Sequence, residues 1–197
     1  FYLGTNHGAM GYTLDEVAIA SKMIGALMII LGTLGGGLAL KAIGRMPCLI
    51  VGAVLAAVTN LLFWDLATGA RAVGGFLGTT RLDVVFGWFG ADERLAHLIT
   101  AIAGENLALG FASAVFVAYL SSIVNPSYAA VQYALLASLT MLVGTLGRGA
   151  LGEWIEERGF AFVFIVTALL GLVAVAASTA EAIRQRAMGD TSTESNA

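Results

Sequence analysis

Charge is scarce in this sequence. Ten Lys and Arg stand against 13 Asp and Glu in 197 residues, a charged share of 12% and a net charge of -3. The cations are scattered singly, which excludes the basic patches that nucleic-acid binding requires. Cysteine occurs once, at Cys48, so an intramolecular disulfide is impossible. Proline occurs twice, leaving few forced kinks in any helix. Histidine occurs only at His7 and His97, and no Cys/His cluster has metal-ligand spacing. His97 with Asp92 and Glu93 is the one grouping that resembles a metal site, and a solvated interfacial histidine is the plainer reading. No metal and no cofactor are expected. A G-x-S-x-G string and a nucleophile-base set are both missing, which argues against an enzyme. Gly147, Gly149 and Gly152 spell G-x-G-x-x-G, but between two apolar runs and with no strand before them, so a nucleotide site is not expected there. The chain opens FYLGTNHG, without an initiator Met, a basic n-region or a cleavage site. It therefore reads as a piece of something longer, with Phe1 to Leu3 as the tail of a preceding apolar helix.

What is abundant is apolar surface and glycine. Hydrophobic residues make up 58% of the chain and the mean hydropathy is +0.87, far above the need of a soluble core of this size. The 25 glycines give helices places for close approach. About 20 mostly apolar residues span a bilayer, and five stretches qualify, at about 14–40, 48–66, 97–120, 129–147 and 160–180. The expected fold is an all-α integral membrane bundle over 1–188, followed by a disordered tail at 189–197.

Thr13 with Glu16 forms a capping-box pattern at the start of the first span. Ser21, Gly25, Gly32 and Gly36 lie on one face of that span and predict a packing surface. Between the first two spans the link KAIGRMP carries Lys41 and Arg45, with Pro47 at a helix start. Asn60 in the second span is expected to hydrogen-bond to another helix. Residues 67–96 are too polar and too rich in glycine to span, and the recurrence of Leu82, Val85, Phe86 and Phe89 predicts a short interfacial amphipathic helix, with a disordered loop as the alternative. The connection GRGALGEWIEERGF joins the fourth and fifth spans, and the fifth has no charged or amide residue.

The third span, LITAIAGENLALGFASAVFVAYL, holds Glu105 and Asn106 at its centre. Burying a carboxylate at that depth costs roughly 2.5 to 3.5 kcal/mol on insertion scales, so such a residue faces a bundle interior or a polar pathway. Lys22 in the first span lies at similar depth, about 12 Å along a helix of the same direction. Two readings stay open: a static ion pair holding the bundle, and a substrate or proton pathway with Lys22, Glu105, Asn106, Ser113 and Gln132 as its polar groups. Cation counts orient the chain poorly. Lys41, Arg45, Arg184 and Arg186 on one side face Arg71, Arg81, Arg94, Arg148 and Arg158 on the other, and only the density of the short link favours placing it inside.

Several runs resemble a known family. Gly11-Tyr-Thr-Leu-Asp-Glu-Val-Ala, Ser21-Lys22, Gly35-Gly36-Gly37 and Gly44-Arg45 resemble the eighth helix and following link of a major facilitator transporter. Glu105-Asn106-Leu, Ala114-Val-Phe-Val-Ala-Tyr-Leu-Ser121, Val131-Gln132-Tyr-Ala-Leu-Leu-Ala-Ser138, Gly152-Glu-Trp154 and Gly159-Phe160 resemble the carboxy-terminal half of AmpG-type muropeptide permeases. The resemblance covers nearly all of the chain except 67–96. It implies a carboxy-terminal six-helix half of a major facilitator fold, of which about five complete helices are present, in a multi-pass protein of the bacterial inner membrane. It also implies Lys41, Gly44 and Arg45 as a gating loop, although the second basic residue that many facilitators carry after Gly-Arg is absent. The implied function is proton-coupled import of cell-wall breakdown products, anhydromuropeptides. The implied partners are a sugar-peptide substrate, protons, membrane lipid and a missing amino-terminal half, with no nucleic acid. A facilitator for acetyl-CoA or another small solute is the alternative, as is a non-transporting membrane scaffold or receptor descended from a transporter.

Overall fold

The computed structural model describes residues 1–88 and 90–194, without the side chains of Pro126, Arg186 and 188–194. Among the described residues every regular element is helical, and four helices are long and apolar enough to cross a membrane.

Helix α1, Leu14–Ile43, starts at the capping box. The Glu16 amide donates to Thr13 Oγ1 at 3.3 Å and the Thr13 amide to Glu16 Oε2 at 2.7 Å, so two orphan donors of the first turn are satisfied reciprocally. Over Ile19–Gly25 the helix widens into π geometry, and it ends where Gly44 takes φ 82°. That left-handed turn costs a glycine little. Helix α2, Arg45–Ala67, begins at the very next residue with Pro47 in its first turn, so KAIGRMP is a corner hinged on one residue. Lys41 and Arg45 are exposed on either side of it.

Residues 67–96 form two short helices, α3 (Arg71–Thr80) and α4 (Leu82–Trp88). Val73 and Leu77, one turn apart, bury themselves against Ala96, with Leu62, Leu82 and Phe86 around them. The short helix expected on Leu82, Val85, Phe86 and Phe89 is present as α4, and α3 before it is an addition to that expectation. Val85 is exposed, Phe89 lies outside the described residues, and the stronger apolar stripe is on α3, where Gly74, Gly75 and Gly78 dilute the pattern.

Helix α5, Glu93–Ile123, is capped by Asp92, whose Oδ1 accepts the Leu95 amide at 2.7 Å. After a short turn at Pro126–Tyr128 the chain is helical from Ala129 to Glu194 with one break, at Gly159 (φ 80°, ψ 170°). The break divides it into α6a (129–158) and α6b (160–194). The connection expected at GRGALGEWIEERGF is thus helical up to Arg158, because its Ala, Leu, Glu and Arg residues propagate a helix and no proline stops it. The tail at 189–197 continues α6b as far as Glu194, and 195–197 lie outside the described residues.

The bundle consists of α1 on α5, α2 on α5, and α2 on α6b. Asn60 makes the interhelical bond expected of it, accepting from Thr167 Oγ1 of α6b at 3.1 Å. Gly171 of α6b lies so close to α2 that a Cβ there would come within 2.8 Å of Ala57 Cβ. Phe63 and Phe164 stack at 5.5 Å between the same helices. In contrast, α6a is exposed throughout 138–150.

Phe1 to Leu3 are not helical. The chain folds back so that Phe1 and Tyr2 meet Met10–Tyr12 in an irregular hairpin-like loop, the Met10 amide donating to Phe1 O at 3.0 Å and the Tyr12 amide to Tyr2 O at 2.7 Å. The turn between them is Asn6-His7-Gly8, with His7 and Gly8 both at positive φ. The hairpin also caps the α6 break, since the Phe160 amide donates to His7 O at 3.0 Å.

Candidate functional site

Glu105 and Asn106 lie beside the seam where α1 and α5 meet most closely. Backbone approaches backbone there: Gly32 faces Leu107 O, Gly110 faces Ile29 O, and Gly36 faces Phe111 O, so side chains at these positions would collide with main chain. Thr33 Oγ1 donates to Gly110 O at 3.4 Å across the same contact. Small residues at this spacing are what lets apolar helices associate without a hydrophobic driving force.

Near the start of this seam the wide turn of α1 faces the carboxamide of Asn106. A Cβ on Gly25 would lie 3.2 Å from Asn106 Nδ2, and that nitrogen donates to Ile102 O at 2.8 Å within its own helix. Asn106 and its neighbour Glu105 are half-buried. Lys22 belongs to the π segment, a geometry that single-residue insertions produce and that recurs at functional sites. Its side chain is exposed and forms no ion pair with Glu105; among the described residues the close pairs of opposite charge type are His97 with Glu93 at 4.0 Å and Arg184 with Glu181 at 2.7 Å.

The residue that feels Glu105 is Tyr2. Burial, and after it the negative charge of Glu105, push the Tyr2 phenol well above its ordinary range. Tyr2 packs on the core cluster that contains Ala20, Leu98 and Ile102, so the hairpin brings a phenol to the α1–α5 seam. In the sequence Tyr2 reads as part of the tail of a preceding apolar helix; the signal for the observed placement is the Asn-His-Gly turn, which folds the first residues back.

Two of the remaining residues stand apart. Gln132 Oε1 accepts the Asn125 amide at 2.7 Å and closes the turn before α6a, so it serves the loop. Ser113 is exposed one turn beyond buried Gly110. An apolar cavity of about 560 Å³ adjoins the seam, lined among others by Ile24, Met28, Phe76, Phe86, Gly104 and Leu107. Glu105 and Asn106 are not among its lining residues, although Gly104 and Leu107 flank them in sequence.

At the amino-terminal end of α5 a second polar group gathers. Arg94 Nη2 donates to Met10 O at 2.5 Å, the Tyr12 hydroxyl donates to Arg94 O at 3.0 Å, and the guanidinium lies 4.4 Å from the Tyr12 ring centroid. Asp92 is occupied as a helix cap, and His97 abuts Gly74 of α3, where a Cβ would be 3.2 Å from Nε2. Among the described residues no three His, Cys, Asp or Glu side chains converge as metal ligands would.

Apolar helices packed through glycine, with a carboxylate held inside one of them, define a multi-pass helical membrane protein. The chain is a relative of AmpG-type permeases. It is 28% identical over 168 residues to the anhydromuropeptide permease of Escherichia coli strain K12, which covers 83% of this chain and 30% of that protein. It is 26% identical over 167 residues to the putative transporter AmpG 4 of Rickettsia felis (84% and 35%), and 32% identical over 134 residues to the putative transporter AmpG 3 of Rickettsia prowazekii (68% and 26%). The chain therefore spans about a third of the length of these relatives. All three are named as permeases or transporters and none as an enzyme, in line with the missing nucleophile-base set. No family model matches the chain.

Proposed function

We propose that this chain is the carboxy-terminal transmembrane part of a bacterial inner-membrane transporter of the major facilitator type, which imports anhydromuropeptides with the proton gradient. The observation that carries the proposal is the similarity to the Escherichia coli anhydromuropeptide permease over 83% of the chain. The half-buried Glu105 on the best-packed helix supports proton coupling, because an intramembrane carboxylate that can be neutralised is the usual proton carrier of such transporters. In this mechanism the charged form of Glu105 holds Lys22, freed by the wide turn, toward the seam, and protonation releases it. Asn106 and Ser113 offer hydrogen bonds along α5, Gln132 secures the turn to α6a, and Lys41, Gly44 and Arg45 form the corner that moves when the two halves of the transporter rock.

The test is uptake of labelled anhydromuropeptide, with the accompanying change in internal pH, in vesicles containing the full-length protein. Glu105→Gln is expected to abolish both signals, and Lys22→Met to reduce uptake more than tenfold, the equivalent of about 1.4 kcal/mol. Unchanged uptake in Glu105→Gln removes the proton role. Uptake of an acetyl-CoA or another solute in place of the muropeptide overturns the substrate.

A further inference from the structure

The two short helices between α2 and α5 are apolar on both sides. Towards the bundle, Val73 and Leu77 of α3 and Leu82 and Phe86 of α4 pack against Leu62 and Ala96. Phe76, at the mouth of the apolar cavity beside the α1–α5 seam, is 52% exposed and Trp88 of α4 is 80% exposed, and Val84 and Val85 are open as well. Their depth follows from what anchors them. Leu62 lies five residues before the end of α2 and Ala96 three residues after the start of α5, which at 1.5 Å per residue puts both anchors about 5 to 8 Å inside the ends of the two spans. Apolar faces of interfacial helices settle about 5 to 10 Å into the boundary between headgroups and acyl chains. Since α3 and α4 join the facing ends of two membrane-length helices, they lie at the level where those helices leave the bilayer. Tryptophan at a span end prefers that same boundary, and Arg71 and Arg81, both exposed on this segment, are at hand for lipid phosphates.

We infer that α3 and α4 form a lipid-docking surface, in which Phe76, Val84, Val85 and Trp88 lie in the headgroup boundary of one leaflet while Arg71 and Arg81 meet its phosphates. The inference rests on the membrane character of the chain and not on what is transported. The reversal that presents the surface is held rigidly, since Ala70 and Arg81 at the two ends of α3 adopt left-handed conformations (φ 55° and 58°) and Asp65 ties down the first turn. Phe76 and Phe86 of this segment also line the 560 Å³ apolar cavity.

The experiment uses the chain with Trp64→Phe and Trp154→Phe, so that Trp88 alone emits, reconstituted in phosphatidylcholine vesicles. Lipids brominated near the headgroup end of the chains are expected to quench its emission more than lipids brominated near the methyl end, and aqueous iodide is expected to leave it largely unquenched. Strong quenching by iodide with none by brominated lipid overturns the inference, and so does protection from both, which would mean that protein covers the surface. A bimane on Phe76→Cys in a Cys48→Ala background reads the same contrast without altering a tryptophan, and iodide-accessible bimane overturns the inference in its own right.

Discussion

Asp65 accepts the Ala72 amide at 3.0 Å through one oxygen and the Val73 amide at 2.9 Å through the other, although it belongs to the helix before them. It is a cap supplied from across a turn, and it is buried. Asp65→Ala leaves two amides without partners and is expected to cost about 0.5 to 2 kcal/mol. Hydrogen exchange checks this: the Ala72 and Val73 amides should exchange faster while those of α5 do not change. Tyr12 offers a pH-dependent case. Burial pushes its phenol above the ordinary value, with Arg94 partly opposing. Because the folded value is raised, the stabilisation is complete below the ordinary tyrosine pKa of about 10 and disappears as pH rises through the higher value. Alkaline titration of the phenolate absorbance should therefore show late phenols from both Tyr2 and Tyr12, of which Tyr12→Phe removes one, together with earlier proteolysis of the hairpin once its link to Arg94 is gone. Neither pairing could be read in the sequence, since each joins residues whose neighbourhood is set by a turn.

Among the elements, the packing face of α1 was the most legible, because Gly25, Gly32 and Gly36 at spacings of seven and four carry their own geometry, while α5 as the helix that meets it is known only from the structure. Gly110→Val would drive a side chain into Ile29 O and the Thr33 amide, and Gly32→Val into Leu107 O. Overpacking of this kind costs about 1 to 3 kcal/mol. Each substitution should lower the thermal midpoint of the detergent-solubilised protein, whereas Gly35→Val, with nothing within 4 Å of its Cβ position, should not. Asn60 was legible too, as a lone amide in an apolar helix, though only the structure identifies Thr167 as its partner. The pairing of Lys22 with Glu105 was an inference from depth, and depth says nothing about azimuth. The wide turn changes the azimuth of Lys22, and no periodicity argument built on regular 3.6-residue turns anticipates it.

For the whole molecule the spans themselves were written in hydropathy, and their connections were not. Gly159 breaks the last helical run while Gly147, Gly149 and Gly152 do not, and composition cannot rank four glycines in one connection. What singles out Gly159 is the amino-terminal hairpin, whose His7 carbonyl receives the next amide. The assembly of α2 with α6b can be checked by cross-linking: Asn60→Cys with Thr167→Cys should form a disulfide under mild oxidation, while Asn60→Cys with Thr145→Cys of α6a should not.

The wide turn at Ile19–Gly25 has a mechanical meaning. A π segment is an α-helix holding one residue of slack, and slack can be passed along or taken up. Taking it up would turn everything before it by one residue's worth of rotation, about 100°, while Gly32 and Gly36 stay locked to α5. Lys22 is placed on the swivel itself, so that rotation about the axis of α1 would sweep its charge through a wide arc while the glycine seam beyond it stays packed.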